Sequence, residues 1–74
     1  MEENREQGRM IATAIKTGAG MVMAFDEAGR ELPEIQGPYH LVRSRVIERA
    51  SGATTFKHWF GIAAAPVVVR REEW

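Results

Sequence analysis

The 74-residue chain contains no cysteine, which excludes disulfide stapling, thiolate chemistry and every zinc motif built on Cys. It also lacks any apolar run near the roughly 20 residues that span a bilayer. Its first residues, Met1-Glu2-Glu3-Asn4-Arg5-Glu6, have neither the basic region nor the apolar stretch of a secretory signal. The expectation is a soluble, cytoplasmic protein with no membrane partner. Histidine is scarce, with two residues, and neither His40 nor His58 stands at a His-x-x-x-His or His-Glu spacing that would hold zinc. Asp26, Glu27, Glu31 and Glu34 do not match a calcium loop. Gly18-Ala19-Gly20 is not followed by the residues of a phosphate-cradling loop, and no serine sits in a Gly-x-Ser-x-Gly elbow. The reading is therefore of a non-enzymatic protein with no cofactor and no metal.

A net charge is missing as well, since ten Lys and Arg balance ten Asp and Glu. That neutrality hides a split: residues 1–37 carry seven acids and four bases, residues 38–74 six bases and three acids. Such a split can mark surfaces of opposite sign that meet a partner, or two halves of one domain that complement each other. Apolar residues at 45% and charged residues at 27% are the balance of a folded globular domain. A chain this short builds only a small core, and small cores gain from partners.

Residues 1–8 are polar and read as a flexible N-terminal arm, with one small domain over residues 9–74. Within that domain, residues 10–16 alternate with a period of two and predict a strand, and Thr17-Gly18-Ala19-Gly20 predicts a turn into a second strand over residues 21–25. Asp26-Glu27-Ala28-Gly29 predicts another turn, followed by a short strand at residues 30–32 that Pro33 limits to an edge. Over residues 38–51, Tyr39, Val42, Val46, Ile47 and Ala50 follow helical spacing, with Pro38 at the start and Gly52 just past the end. Leu41 then points outward, and Arg43 falls among the apolar positions, where it must find a partner. Phe56, His58 and Phe60 alternate with Lys57 and Trp59 in a strand over residues 54–60, and Val67-Val68-Val69 forms another. Ile35 is either presented on a proline-stiffened loop or plugs its own core. Trp74 is either a loose end or an anchor folded back on the sheet.

These elements assemble into an α+β domain: a small antiparallel sheet of about four strands with one helix packed on it. The alternative is an all-β small open barrel in which residues 39–49 add a strand. The expected core is Ile11, Ile15, Met21, Met23, Phe25, Val42, Val46, Ala50, Phe56, Phe60 and Val68. One constellation offers a binding site. Tyr39, Arg43, Arg45, Arg49, Lys57 and Trp59 combine aromatic rings with cations, the composition of a protein-binding hot spot or of a surface that stacks bases and collects phosphates. The functional expectation is a non-catalytic protein-interaction module whose partner is another protein or a second copy of itself. The alternative is a nucleic-acid-binding module using the basic and aromatic residues of the C-terminal half.

Overall fold

A computed structural model describes residues 10–74; the arm expected over residues 1–8 lies outside the described residues. In chain order the elements are β1 (Thr13–Thr17), β2 (Met21–Phe25), a 3-10 turn (Pro33–Ile35), the two-residue β3 (Gly37–Pro38), α1 (Tyr39–Arg49), β4 (Thr55–Trp59), β5 (Val67–Val69) and a second 3-10 turn (Arg71–Glu73). The five strands form one sheet in the order β3-β2-β1-β4-β5. The α+β class expected from the pattern is thus present, and the open sheet rules out the barrel.

Two features of the sheet differ from expectation. It is mixed, because β1 and β4 run parallel with Thr13 opposite Thr55 and Thr17 opposite Trp59, while the other pairs are antiparallel. The helix between β3 and β4 reverses the chain, so β4 starts at the same end as β1. The short strand expected at residues 30–32 is reduced to a single bridge between Glu31 and Phe25.

Local chemistry explains the turns. Thr17 accepts the Gly20 N–H at 3.0 Å and its hydroxyl accepts the Met21 N–H at 3.2 Å; Gly20 closes the hairpin at φ +82°, a conformation open to residues without Cβ. Asp26, buried at the next turn, accepts the backbone N–H groups of Ala28 and Arg30 at 2.9 Å each through Oδ1. Helix α1 buries Val42 and Val46, with Tyr39, Ile47 and Ala50 packed at the margin of the core. Leu41 points outward and is 61% exposed, as its spacing requires. Arg43, placed by the pattern beside apolar positions, donates its Nε–H to the Tyr39 hydroxyl at 2.7 Å.

The face of the sheet under α1 carries small residues. Ala14 and Ala24 are opposite each other on β1 and β2 and fully buried, with Val22, Phe56, Leu32 and Ile35 around them. Small side chains let a helix approach the sheet closely, whereas the larger Met21, Met23 and Phe25 alternate onto the other face. The expected core is corrected on this point. Met21 (43%), Phe60 (69%) and Val68 (65%) are exposed, and Met23 and Phe25 are half-buried away from the helix. Ala14, Val22, Ala24, Leu32, Ile35 and Trp74 fill the core instead. Ile35 plugs that core rather than standing out on its loop.

Trp74 is the anchor that closes the helix side. It is 3% exposed, packs 5.1 Å from Phe56 and edge-on to Tyr39 at 5.4 Å, and donates its indole N–H to the Lys57 carbonyl at 3.0 Å. The Tyr39 hydroxyl in turn donates to the Trp74 backbone oxygen.

Candidate functional site

The six residues expected to bind a partner are divided between two layers. Tyr39, Arg43, Arg45 and Arg49 stand on α1, while Lys57 and Trp59 alternate with Phe56 and project from the opposite face of the sheet. On the helix, Tyr39 is engaged with Arg43, Trp74 and the Lys16 ammonium, which lies 4.0 Å from its ring centroid. Arg49 pairs with Glu34 at 2.9 Å, joining the basic half of the chain to the acidic half. Arg30 pairs with Asp26, and Arg70 with Glu72 and Glu73. Arg49–Glu34 thus bridges the two halves, whereas the Arg30 and Arg70 pairs each lie within one half and leave the split as it is. Arg45 is exposed, and no ion pair reaches Arg43, Arg45 or Lys57 among the described residues. The structure does not bring the six residues together.

The open face of the sheet has its own pattern. Across it run the rows Phe25–Thr13–Thr55 and Met23–Ile15–Lys57–Val68, with Thr17 beside Trp59 at the far end. Among the described strand residues Lys57 is the one charge on this face, and Glu31, bridged to Phe25, adds a carboxylate at its β2 margin. Both 3-10 turns and α1 belong to the other side. Ile15, the buried apolar residue that stands outside the helix-side core, is shielded by Met23 and Lys57 directly opposite it.

Beyond Trp59 the chain enters the most unusual stretch of the surface, with Phe60 packed on His58 and Val67 opposite it on one face and Val68 on the other. Residues 60–68, Phe-Gly-Ile-Ala-Ala-Ala-Pro-Val-Val, are nine consecutive exposed residues with no polar side-chain atom. Solvent-exposed apolar runs beyond three or four residues are rare outside functional surfaces. The segment is ordered, since Ala64 donates its N–H to the Gly61 carbonyl at 3.2 Å and the Trp59 indole donates to the Ala64 carbonyl at 2.6 Å. Ile62, in the turn so formed, is 99% exposed. Beside it, a shallow groove of about 340 Å³ runs between the β1–β2 turn and the start of the loop, lined by Thr17, Gly18, Ala19, Trp59, Phe60, Gly61 and Ile62. Gly18 permits this approach: its N–H bonds the Trp59 carbonyl at 2.9 Å, and a Cβ there would stand 3.3 Å from the Phe60 oxygen.

Of this strip, the sequence pattern singled out Trp59 alone as a binding residue and assigned Phe60 and Val68 to the core. The signal that marks the rest is the absence of any polar residue between Trp59 and Arg70. His40 and His58 are on different elements. Among the described residues, no three His, Asp or Glu side chains gather closely enough to hold a metal ion, and no helix is long and apolar enough to cross a membrane. Comparison with protein-family models, with curated proteins and with solved structures finds no match for the chain.

Proposed function

We propose that the protein is a non-catalytic protein-interaction module that binds through residues 59–68 and the adjoining open face of the sheet. The observation that carries this reading is the nine-residue exposed run without a polar atom, held in shape by the Trp59 indole. Exposed apolar side chains on a pre-ordered turn lose little entropy on docking, so their burial is available to binding. A nucleic-acid interface has narrower support: Lys57 and Trp59 share the open face of the sheet, but Glu31 stands at its margin opposite Phe25, and the helix arginines are on the other layer and cannot add to it. A surface with one cation offers few phosphate contacts.

The test is the double substitution Phe60→Asp/Ile62→Asp in urea unfolding. If the run serves binding and not folding, the variant keeps its stability to within about 0.5 kcal/mol, the range of ordinary surface changes. A loss of about 2 kcal/mol or more, the scale of core truncation, means that these side chains are packed inside in solution and refutes the reading. Single-stranded oligonucleotides at low salt supply the second arm: binding abolished by Lys57→Glu transfers the proposal to nucleic acid.

A further inference from the structure

We infer that the occupant of this strip is a second copy of the same chain, paired about a two-fold axis so that each Ile62 enters the other's groove. This rests on the interaction reading above and names the partner. Three observations carry it. First, a knob and a hole lie side by side on one patch: fully exposed Ile62, and the groove between Gly18-Ala19 and Phe60. Juxtaposed complementary features satisfy an isologous contact, in which residue i meets residue j and j meets i, and such a contact closes at two copies instead of growing into a filament.

Second, no ionisable side chain lines the groove, and residues 59–69 contain none. A second copy therefore meets no like charge across the patch, while an acidic or phosphate-bearing partner would find no counter-charge. Third, the sheet edges are blunted, so side chains and not strand addition must make the contact. Strand β5 is three residues long and follows Pro66, and the Arg70 N–H beyond it is taken by Glu73 Oε1 at 3.4 Å. At the other side, the Gln36 side chain accepts the Ala24 N–H at 2.9 Å and covers β2.

The scale fits a weak, reversible dimer. The exposed parts of Phe60, Ile62 and Val67 amount to roughly 400 Å² on each protomer, about 800 Å² for a symmetric pair, the range of weak and transient contacts, while Val68 projects to the other face of the sheet. The affinity expected is micromolar, and it holds or strengthens as salt rises, because the contact is apolar.

Since the chain has no cysteine, single thiols report the contact directly. Protein carrying Ala19→Cys is mixed with protein carrying Ile62→Cys and treated with a short bis-maleimide, with Ser44→Cys on the exposed side of α1 as control. The inference predicts that the Ala19–Ile62 product exceeds its statistical share and that Ser44→Cys cross-links only at the background rate. In sedimentation velocity, the wild-type mass rises toward a dimer at high micromolar concentration at both low and high salt, and Ile62→Asp weakens association about tenfold or more. A monomer at every concentration, a dimer that salt dissolves, or cross-linking no faster than the control overturns the inference. A monomeric wild type with an undiminished stability of Phe60→Asp/Ile62→Asp leaves the interaction module standing with a foreign partner; a destabilised double variant removes the module itself.

Discussion

Replacing Trp74 by Ala should cost this protein a large share of its stability. The indole is 3% exposed, sits between Phe56 and Tyr39, and hydrogen-bonds the Lys57 carbonyl at 3.0 Å. Truncating a buried aromatic of this kind costs about 3–5 kcal/mol, against a total of about 4–11 kcal/mol for a domain of this length. With a urea slope near 1 kcal/mol/M for a small protein, the midpoint seen by far-UV circular dichroism falls by about 3 M or the variant is unfolded without urea. Trp74→Phe keeps the ring and loses the indole hydrogen bond, for a cost of about 1 kcal/mol. Tyr39→Phe removes the hydroxyl that links Arg43 to the Trp74 backbone, and it should be non-additive with Trp74→Ala, since the two residues share one contact. A Trp74→Ala midpoint within about 1 M of wild type would refute the assignment of Trp74 as the anchor of the helix side.

Two further substitutions test the interior. Among the described residues His58 Nε2 is buried with no hydrogen-bond partner, and its ring packs edge-on against Phe60 at 5.3 Å; His58→Phe removes this nitrogen and should stabilise the fold by about 1 kcal/mol in urea unfolding. A destabilised His58→Phe would mean that the nitrogen is satisfied in solution. Asp26→Ala strips two backbone N–H groups of their acceptor at the β2 turn and should cost about 2 kcal/mol, with Asp26→Asn losing less because one side-chain oxygen remains. Equal losses for the two would place the energy in the Arg30 ion pair instead.

Much of the secondary structure was legible because it rests on periodicity. The spacing of Val42 and Val46 places the helix, and the alternation of Phe56, Lys57, His58 and Trp59 places β4. What periodicity cannot supply is which face the helix takes when both faces of a strand are apolar. In β1 and β2 the alternation puts Ala14, Val22 and Ala24 on one side and Ile15, Met23 and Phe25 on the other. Size suggests that the second set is core; close helix approach selects the first. The parallel pairing of β1 with β4 depends on where the helix returns the chain, a tertiary outcome with no local signature. Trp74 belongs to the same class, because its burial is set by the pocket that Tyr39 and Phe56 provide across the fold.

The candidate site was less legible for a related reason. Arginines clustered between residues 43 and 49 look like one surface with Lys57 and Trp59, but a helix and a strand on opposite sides of a sheet separate them. The strip at residues 60–68 was hidden by its own composition, since apolar residues read as core until a structure leaves them in water.

The most direct measurement is an amide NMR concentration series on the wild-type protein from low micromolar to millimolar. The account predicts shifts that move with concentration at Thr17, Gly18 and Ala19 and across residues 59–68, with the amides of Tyr39–Arg49 unchanged. Shifts that stay constant throughout, or that move at Arg43 and Arg45 instead, would contradict it.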